Sequence, residues 1–345
     1  MRATDIRSAN QLDLIRYIRR HAPVSQAALA EANDLRPSTV STLMRPLKVA
    51  RMVEVVGRGR SGTVGGKRPE LIALNGAHAT FAGVYVRERE IDLYVMDYDG
   101  RETHRETLPV PSPTDEKVVD LISERVLALA SGEIHFAGTG ISVSSVVPPR
   151  GGIEASAGFS WSLPDFRSRI TARIGTDAPL IVENNANCAA VYAEQMLTRP
   201  CASMLAVFAD PYARTVGAGM LMDGRLYRGA RGAAGELWDP HPLCADTESL
   251  WAGPYGFARR VAHHIESART LLDPEVTVLL VGSPAPHEAG AEASGASLAE
   301  RVRGILAELG DISDIEYFED DRAPVAGACL LAARDYEERF VQGVS

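Results

Sequence analysis

An unusual cluster of asparagines stands at a position where the surrounding pattern favours a functional site. Residues 183–190 read ENNANCAA. An apolar run over 179–182 precedes them and a helix-like run over 189–196 follows, so the pattern predicts a strand-to-helix corner. Such a corner can present side chains to a cleft, but an amide neither takes up nor releases a proton near neutral pH. The cluster therefore predicts hydrogen bonding rather than proton transfer.

The bulk composition is that of a globular protein of two or three domains. The chain has 345 residues, of which 46% are hydrophobic and 23% are charged. No apolar run approaches the roughly 20 residues that span a bilayer, and the polar N-terminus MRATDIRSAN does not resemble a secretory signal. The four cysteines form no C-x-x-C pair. These features predict a cytoplasmic protein with no membrane partner.

The charge is distributed unevenly along the chain. Residues 1–70 carry 13 Lys and Arg against 6 Asp and Glu, whereas the other 275 residues carry 23 against 39. A basic head on an acidic body suggests that only the head meets a polyanion. A random fluctuation in charge is the alternative explanation of this asymmetry.

Three predicted helices near the N-terminus have the spacing of a helix-turn-helix unit. An apolar-periodic helix over 10–20 stops before Pro23. Ser25 is then the predicted N-cap of a second helix over 26–32. Pro37 suits the first turn of a third helix, where its missing N–H costs nothing. This third helix occupies the place of a recognition helix.

A predicted wing follows the third helix. Residues 52–56 and 71–74 predict paired strands joined by the Gly-rich loop GRGRSGTVGGKRP. Short hydroxyl side chains and arginine can reach base edges and phosphates, and basic residues of a wing suit phosphates or the minor groove. The alternative is a small helical domain that binds another protein. The candidate DNA-binding residues are Ser38, Thr39, Ser41, Thr42, Arg45, Arg58, Arg60, Lys67 and Arg68.

The remainder of the chain predicts two β-meanders, each followed by helices. The first meander comprises strands over 81–86, 90–97 and 102–110, and the pattern restarts after the ENNANCAA corner. This arrangement predicts a two-lobed α/β body with a cleft between the lobes. The predicted domains are a winged helix-turn-helix over 1–75, a first α/β lobe over 78–183 with a C-terminal helix over 323–342 packed on it, and a second α/β lobe over 184–322.

Together these motifs resemble the ROK family, which is named for repressors, open reading frames and kinases. The resemblance implies an actin-like, ribonuclease H-type fold in two lobes, here behind a winged helix-turn-helix. Family members with such a head are bacterial sugar-responsive transcription factors, usually dimers or tetramers, whereas members without it are sugar kinases. Fold alone cannot choose between these functions. The motifs are GGKRPELIALN (65–75), VENNANCAAVYAE (182–194), VGAGMLMDGRLYRGARGAAGEL (216–237) and LVGS (280–283).

The sequence departs from the family's kinase pattern at two places. The kinase corner reads Glu-Asn-Asp, and its Asp, the general base, is matched here by Asn185; loss of a positioned base costs about 10²–10⁴ in rate. The family's Asp-x-Gly-Gly-Thr turn, which handles metal and phosphates, is replaced by Tyr-Val-Arg-Glu-Arg over 85–89. Glu88 would repel phosphates, and Arg87 replaces a glycine that permits close backbone approach. We therefore expect no kinase activity; a sugar kinase or a bifunctional regulator-kinase is the alternative.

The family's zinc and sugar-binding residues are also depleted. The stretch GELWDPHPLCADTESLW lacks the family's zinc-binding His and two of its three zinc-binding Cys, so a thiolate-rich zinc site cannot form, and we expect no metal and no cofactor. A replacement site made of Asp239, His241 and Cys244 is the alternative. The remaining polar residues of the cleft could either bind a ligand or satisfy backbone groups around the corner. The candidate ligand-binding residues are Asn184, Asn185 and Glu236.

The leading interpretation is a transcriptional regulator, specifically a repressor, that binds double-stranded DNA as a homodimer or homotetramer. Two heads held by a symmetric body predict an inverted-repeat operator. A sugar or another small molecule in the cleft between the lobes would act as the effector. A constitutive repressor without an effector is the remaining alternative.

Overall fold

The computed structural model describes most of the chain. The described residues are 3–59, 68–110, 115–132, 135–154, 162–175, 179–211, 215–237, 255–282, 297–310 and 312–343.

The N-terminal head is a winged helix-turn-helix built around a three-stranded sheet of order β1-β3-β2. Ser25 caps α2 as predicted, because its hydroxyl accepts the N–H of Ala28 at 3.2 Å. The first helix is longer than the sequence pattern predicted, and the third helix continues past Pro46. The elements are α1 (Ala3–His21), β1 (Val24–Ser25), α2 (Gln26–Ala32), α3 (Pro37–Val49), β2 (Val53–Arg58) and β3 (Glu70–Leu74).

The first lobe contains a five-stranded sheet of order β6-β5-β4-β7-β8. Its first three strands form the predicted antiparallel meander, while β7 and β8 run parallel to β4. Helices α4 and α5 pack together over one face. The elements are β4 (Thr80–Val86), β5 (Glu90–Asp97), β6 (Glu102–Pro109), α4 (Asp115–Ala130), β7 (Phe136–Val143), α5 (Phe166–Ile174) and β8 (Leu180–Asn184).

The second lobe repeats this arrangement around a sheet of order β11-β10-β9-β12-β13. Helices α7 and α8 cover one face of that sheet. Helix α6 packs between the two sheets, against β9 and β10 on one side and α9 on the other. The elements are α6 (Asn185–Met196), β9 (Met204–Asp210), β10 (Thr215–Met222), β11 (Arg225–Tyr227), α7 (Gly256–Leu272), β12 (Val276–Val281), α8 (Leu298–Leu309) and β13 (Ile315–Glu319). The C-terminal helix α9 (Ala323–Gln342) packs on the first sheet and on α6.

The C-terminal helix α9 lies with its backbone almost in contact with the first sheet and with α6. A Cβ atom placed on Gly140 of β7 would lie 1.9 Å from the carbonyl oxygen of Ala328, and one on Gly83 of β4 would lie 2.2 Å from that of Val325. A Cβ atom on Gly327 of α9 would lie 1.9 Å from the carbonyl oxygen of Cys188 in α6. Only glycine fits at these contacts, and α9 thereby ties the first sheet to α6.

The core of the head is continuous with the core of the body. Buried side chains of α1 and α3, such as Leu14 and Leu47, belong to the same apolar cluster as residues of α6 and α9. Within the described ranges, no helix is both long enough and apolar enough to cross a membrane.

The close approach of α9 to β7 gives a direct test of this packing. Gly140→Ala should lower the free energy of unfolding by about 3 kcal/mol, because the added methyl group meets backbone atoms that cannot rotate away. Gly304→Ala is the matched control: nothing lies within 4 Å of its Cβ position in α8, so alanine should stabilise that helix by about 0.5–1 kcal/mol. Urea unfolding measures both, and equal stabilities for the two variants would contradict the packing.

Candidate functional site

The predicted strand-to-helix corner is confirmed, and Asn184 is its central residue. Asn184 ends β8 and is the N-cap of α6, where its Oδ1 accepts the N–H groups of Ala186 at 2.8 Å and Asn187 at 3.3 Å. Its Nδ2 donates to the carbonyl of Ser145 at 3.0 Å and to Oε1 of Glu236 at 2.9 Å. These four bonds use both protons and both lone pairs of the amide. Asn184 therefore joins the end of β7, the start of α6 and the second lobe.

Asn185, the first residue of α6, forms hydrogen bonds with two hydroxyl groups of the first lobe. Its Nδ2 donates to the hydroxyl of Tyr85 at 3.2 Å and to that of Ser144 at 3.1 Å. The two hydroxyls are themselves 2.8 Å apart. Burial, followed by the nearby carboxylate of Asp210, raises the pKa of Tyr85. The phenol thus stays protonated, and this closed triangle can orient polar groups but offers no proton acceptor of carboxylate strength.

Glu183, which precedes the asparagines, forms an ion pair that connects the lobes. Its Oε1 accepts from the N–H of Asn184 at 3.0 Å and from Nδ2 of Asn187 at 2.9 Å. Its Oε2 accepts from Nε of Arg228 at 2.5 Å. The Glu183 side chain is only 5% exposed, whereas that of Arg228 is 48% exposed. A buried carboxylate of the first lobe is therefore neutralised by an arginine of the second lobe.

Residues 228–237, which we name the crossing segment, run from β11 over the first lobe. Gly232 has φ +79°, and a Cβ atom on it would lie 2.1 Å from the carbonyl oxygen of Val147. Gly235 has φ +86°, and its carbonyl accepts the N–H of Ala218 in β10 at 2.8 Å. Glycine is needed at both positions because the backbone is left-handed and tightly packed there. The crossing segment thus reaches both lobes and carries Arg228 and Glu236 to the corner.

Glu236 is an acidic side chain that the crossing segment brings to the corner. Its residue is exposed, and its Oε1 accepts the bond from Asn184. The surrounding protein displaces part of its water, and this desolvation raises the pKa of its carboxyl. A carboxylate in this setting gains from hydrogen-bond donors, so the hydroxyl groups of a ligand are suitable partners.

The turn after β4 is held together by the protein's own charges. Arg87 forms ion pairs with Glu90 at 2.9 Å and with buried Asp92, and its guanidinium lies 5.3 Å from the ring centroid of Tyr85. Burial disfavours the charged guanidinium, but the combined charges of Asp92, Tyr85, Glu90 and Asp210 outweigh this effect, and the pKa of Arg87 is raised. The basic and aromatic side chains of this turn are thus packed against one another.

The two glycines of β10 serve packing. A Cβ atom on Gly219 would lie 2.5 Å from the carbonyl oxygen of Ala186, and one on Gly217 would lie 3.0 Å from the Cβ of Ala186. These glycines let the first turn of α6 rest against β10. The spacing of these two glycines is therefore explained by helix packing and requires no role in binding phosphate.

The alternative metal site belongs to residues 238–254. Asp239, His241 and Cys244 all lie outside the described residues. Among the residues that the structure does describe, no group of three or more His, Cys, Asp or Glu side chains could hold a metal ion.

The candidate DNA-binding residues of α3 share one face of the head. Ser38, Ser41, Thr42 and Arg45 are exposed, while Thr39 is half-buried. The Thr42 hydroxyl donates to the carbonyl of Ser38 at 2.9 Å, which leaves its oxygen lone pairs as acceptors.

The wing residues are only partly described. Arg58 and Arg68 are exposed at the base of the wing, where the N–H of Gly59 donates to the carbonyl of Pro69 at 2.9 Å. Arg60 and Lys67 lie outside the described residues.

The sequence pattern did not single out four residues of the site. Ser144 and Ser145 come directly after β7, and Glu183 and Asn184 end the neighbouring parallel strand β8. Tyr85 lies near the end of β4, which belongs to the same sheet. Because neighbouring parallel strands end at the same edge, this placement was a usable signal. No local sequence pattern pointed to Arg228, because its partner Glu183 lies 45 residues away in the chain.

Comparison with known sequences identifies the central part of the chain. Residues 82–241 match the ROK family. The xylose repressors of Bacillus spizizenii and Bacillus subtilis are each 26% identical to this chain over 238 and 239 residues, which is 68% of this chain. The chain spans about 60% of the length of these curated relatives.

Comparison with solved structures extends the similarity to the whole chain. A ROK family transcriptional regulator, a homologue of the Escherichia coli Mlc protein, has a TM-score of 0.68 at 14% identity and covers 98% of this chain and 99% of its own. A ROK family glucokinase from Streptomyces griseus, bound to glucose and AMPPNP, has a TM-score of 0.55 at 18% identity and covers 73% of this chain and 98% of its own. The predicted fold class is confirmed, and residues 82–241 of the chain match the ROK family.

Proposed function

We propose that this protein is a sequence-specific DNA-binding transcriptional repressor without kinase activity, and that a sugar or another small molecule in the cleft controls it. The observation that carries the proposal is the exposed polar face of α3 on a basic winged head. The names of the relatives, xylose repressors, support the same function. The protein acts as a homodimer or homotetramer, whose symmetry sets the spacing of an inverted-repeat operator.

The absence of kinase activity is argued from the corner. Asn185 stands where the family's kinases have their general base, and its amide is committed to Tyr85 and Ser144. The turn that would approach phosphates is occupied by Arg87 and its ion pairs. Both the proton acceptor and the phosphate-binding backbone are thus replaced by groups that bind one another.

Control by a ligand is argued from the contacts between the lobes. The crossing segment contributes Arg228 to Glu183 and Glu236 to Asn184, so a ligand that competes for Glu236 changes how the lobes are held together. A ligand alters DNA binding only if it binds the DNA-competent and DNA-free forms with different affinity.

Selection of DNA fragments by the purified protein tests the proposal directly. Fragments from a random library should converge on one short inverted repeat, because two symmetry-related heads read two half-sites. Failure to enrich any sequence would remove the DNA-binding function and return the body to consideration as an enzyme.

An arginine of α3 and an arginine at the base of the wing should have different effects on binding to the selected fragment. Arg45→Ala should relax preference at one base position by about 1–3 kcal/mol, whereas Arg58→Ala should weaken all sequences alike and reduce the salt slope by about 1. Fluorescence anisotropy at several salt concentrations measures both effects. Arg259→Ala, which removes an exposed arginine of α7, is the charge-matched control. An unchanged salt slope in Arg58→Ala would argue against contact between the wing base and phosphate.

Restoring the carboxylate should not restore a kinase. In Asn185→Asp, the hydroxyls of Tyr85 and Ser144 can donate to the new carboxylate, and the Arg87 turn is unaltered. We therefore expect transfer of phosphate from ATP to glucose or xylose to stay at background in both the wild type and the variant. A coupled ADP assay checks this, with a sugar kinase as the positive control. Sugar-dependent ADP release by the wild type would refute the proposal.

Xylose is the first effector to test, because the relatives are named for it. We expect xylose to weaken DNA binding by the wild type and to have no effect on Glu236→Ala, since the cleft carboxylate would then be missing. Glu316→Ala, which removes an exposed carboxylate from β13, is the control and should respond like the wild type. Binding that is unaffected by xylose and by a panel of other aldoses would point to a constitutive repressor.

A further inference from the structure

Two arginines at the end of α1 attach the DNA-binding head to the body. Arg19 forms an ion pair with Glu337 of α9 in which both side chains are almost fully buried, at 4% and 1% exposure. Arg20 reaches α6, where its guanidinium donates to the carbonyl of Glu194 at 2.9 Å and lies 3.6 Å from the Glu194 carboxylate. The head is thus fixed to two different helices through adjacent residues.

Glu194 is shared between the head and α9. Its second carboxylate oxygen accepts from Arg334 of α9 at 2.7 Å. The side chains of Glu194, Arg20 and Arg334 are between 12% and 16% exposed. Burial lowers the pKa of Arg334 even though Glu194 opposes that effect. Since buried charges require specific partners, this three-residue junction favours one position of Arg20 relative to α6.

Helix α6 connects this junction to the cleft without interruption. It begins with Asn185 in the site and carries Glu194 in its last turn. The two Cα atoms are about 14 Å apart along a regular helix. Residues 185–193 are all buried, and the close contact between Gly327 and Cys188 fixes α6 against α9. A helix packed on all sides moves as one body rather than bending.

We propose that α6 transmits the state of the cleft to the DNA-binding head, and that Glu194 is the positioning residue at which this occurs. A shift of the first turn of α6, produced by a change at Asn184 or Asn185, displaces Glu194 and with it Arg20 of α1. The Arg19–Glu337 pair has a different role: it anchors the head to α9 and does not involve α6. That this coupling regulates DNA binding rests on the proposed repressor function, whereas the structural coupling between α6 and the head does not.

Amide hydrogen exchange can measure the coupling without DNA or an effector. Asn184→Ala removes the N-cap of α6 and its bond to Glu236, which loosens the cleft end of the helix. Exchange in residues 14–21 of α1 should then become about fivefold faster than in the wild type, because the opposite end of α6 holds Arg20. In the Arg20→Met background, which removes both contacts of the head with Glu194, the same change should alter exchange in α1 by less than about twofold.

Two further variants make the test specific. Glu337→Gln is the matched control, because it breaks the other buried ion pair of the head but leaves Glu194 intact. In that background, the response of about fivefold to Asn184→Ala should persist. Arg20→Met removes only the head's side of the junction and keeps the Arg334–Glu194 bond. Glu194→Gln keeps the bond from Arg20 to the backbone carbonyl of residue 194 and removes only the carboxylate charge, so it should reduce the response in part.

The outcomes separate this inference from the proposed function. A response in α1 that survives Arg20→Met at its full size would overturn the role of the junction. An unaltered α1 in Asn184→Ala itself would overturn transmission through α6. Failure of the wild type to select any DNA sequence would instead overturn the repressor function, and the exchange result would stand independently of it.

Discussion

The close contact of α9 with the first sheet and with α6 is the constraint on which the rest of the structure depends. Glycines on β4, β7 and α9 allow backbones to meet where any side chain would collide. This contact sets the position of α6, whose first turn forms the site and whose last turn meets the head. Because the interior is close-packed, a displacement at one of these places cannot be absorbed locally and is passed to its neighbours.

The site itself is built from groups that satisfy one another. Asn184 caps α6 and bonds to Glu236, Asn185 bonds to two hydroxyls, and Glu183 is neutralised by Arg228. Such a network holds a geometry well, since the buried side chains of Glu183, Asn184 and Asn185 are all hydrogen-bonded and the loss of these bonds would be costly. It is poorly suited to proton transfer, because its central residues are amides. Of the two glutamates in this network, Glu183 is buried and Glu236 is exposed.

Similar folds can therefore carry different chemistry in this family. The matched glucokinase and the matched regulator share the two-lobed body with this chain, although their sequence identity to it is only 18% and 14%. In this chain, the corner carries the amide of Asn185 and the turn after β4 carries Arg87. Fold alone does not decide function, which depends on the side chains of the site.

The sequence by itself determined the local elements and the chemistry of single positions. The helix-turn-helix with its Ser25 cap, the first meander and the corner at Asn184 all follow from short-range patterns. The length of α1 was less well predicted, because the residues before the apolar-periodic run over 10–20 are mostly exposed and carry no apolar period. Only the tertiary structure decided the triangle of Tyr85, Ser144 and Asn185 and the sharing of Glu194. Arg20 and Glu194 are 174 positions apart, and no local pattern records a contact made by folding at that distance.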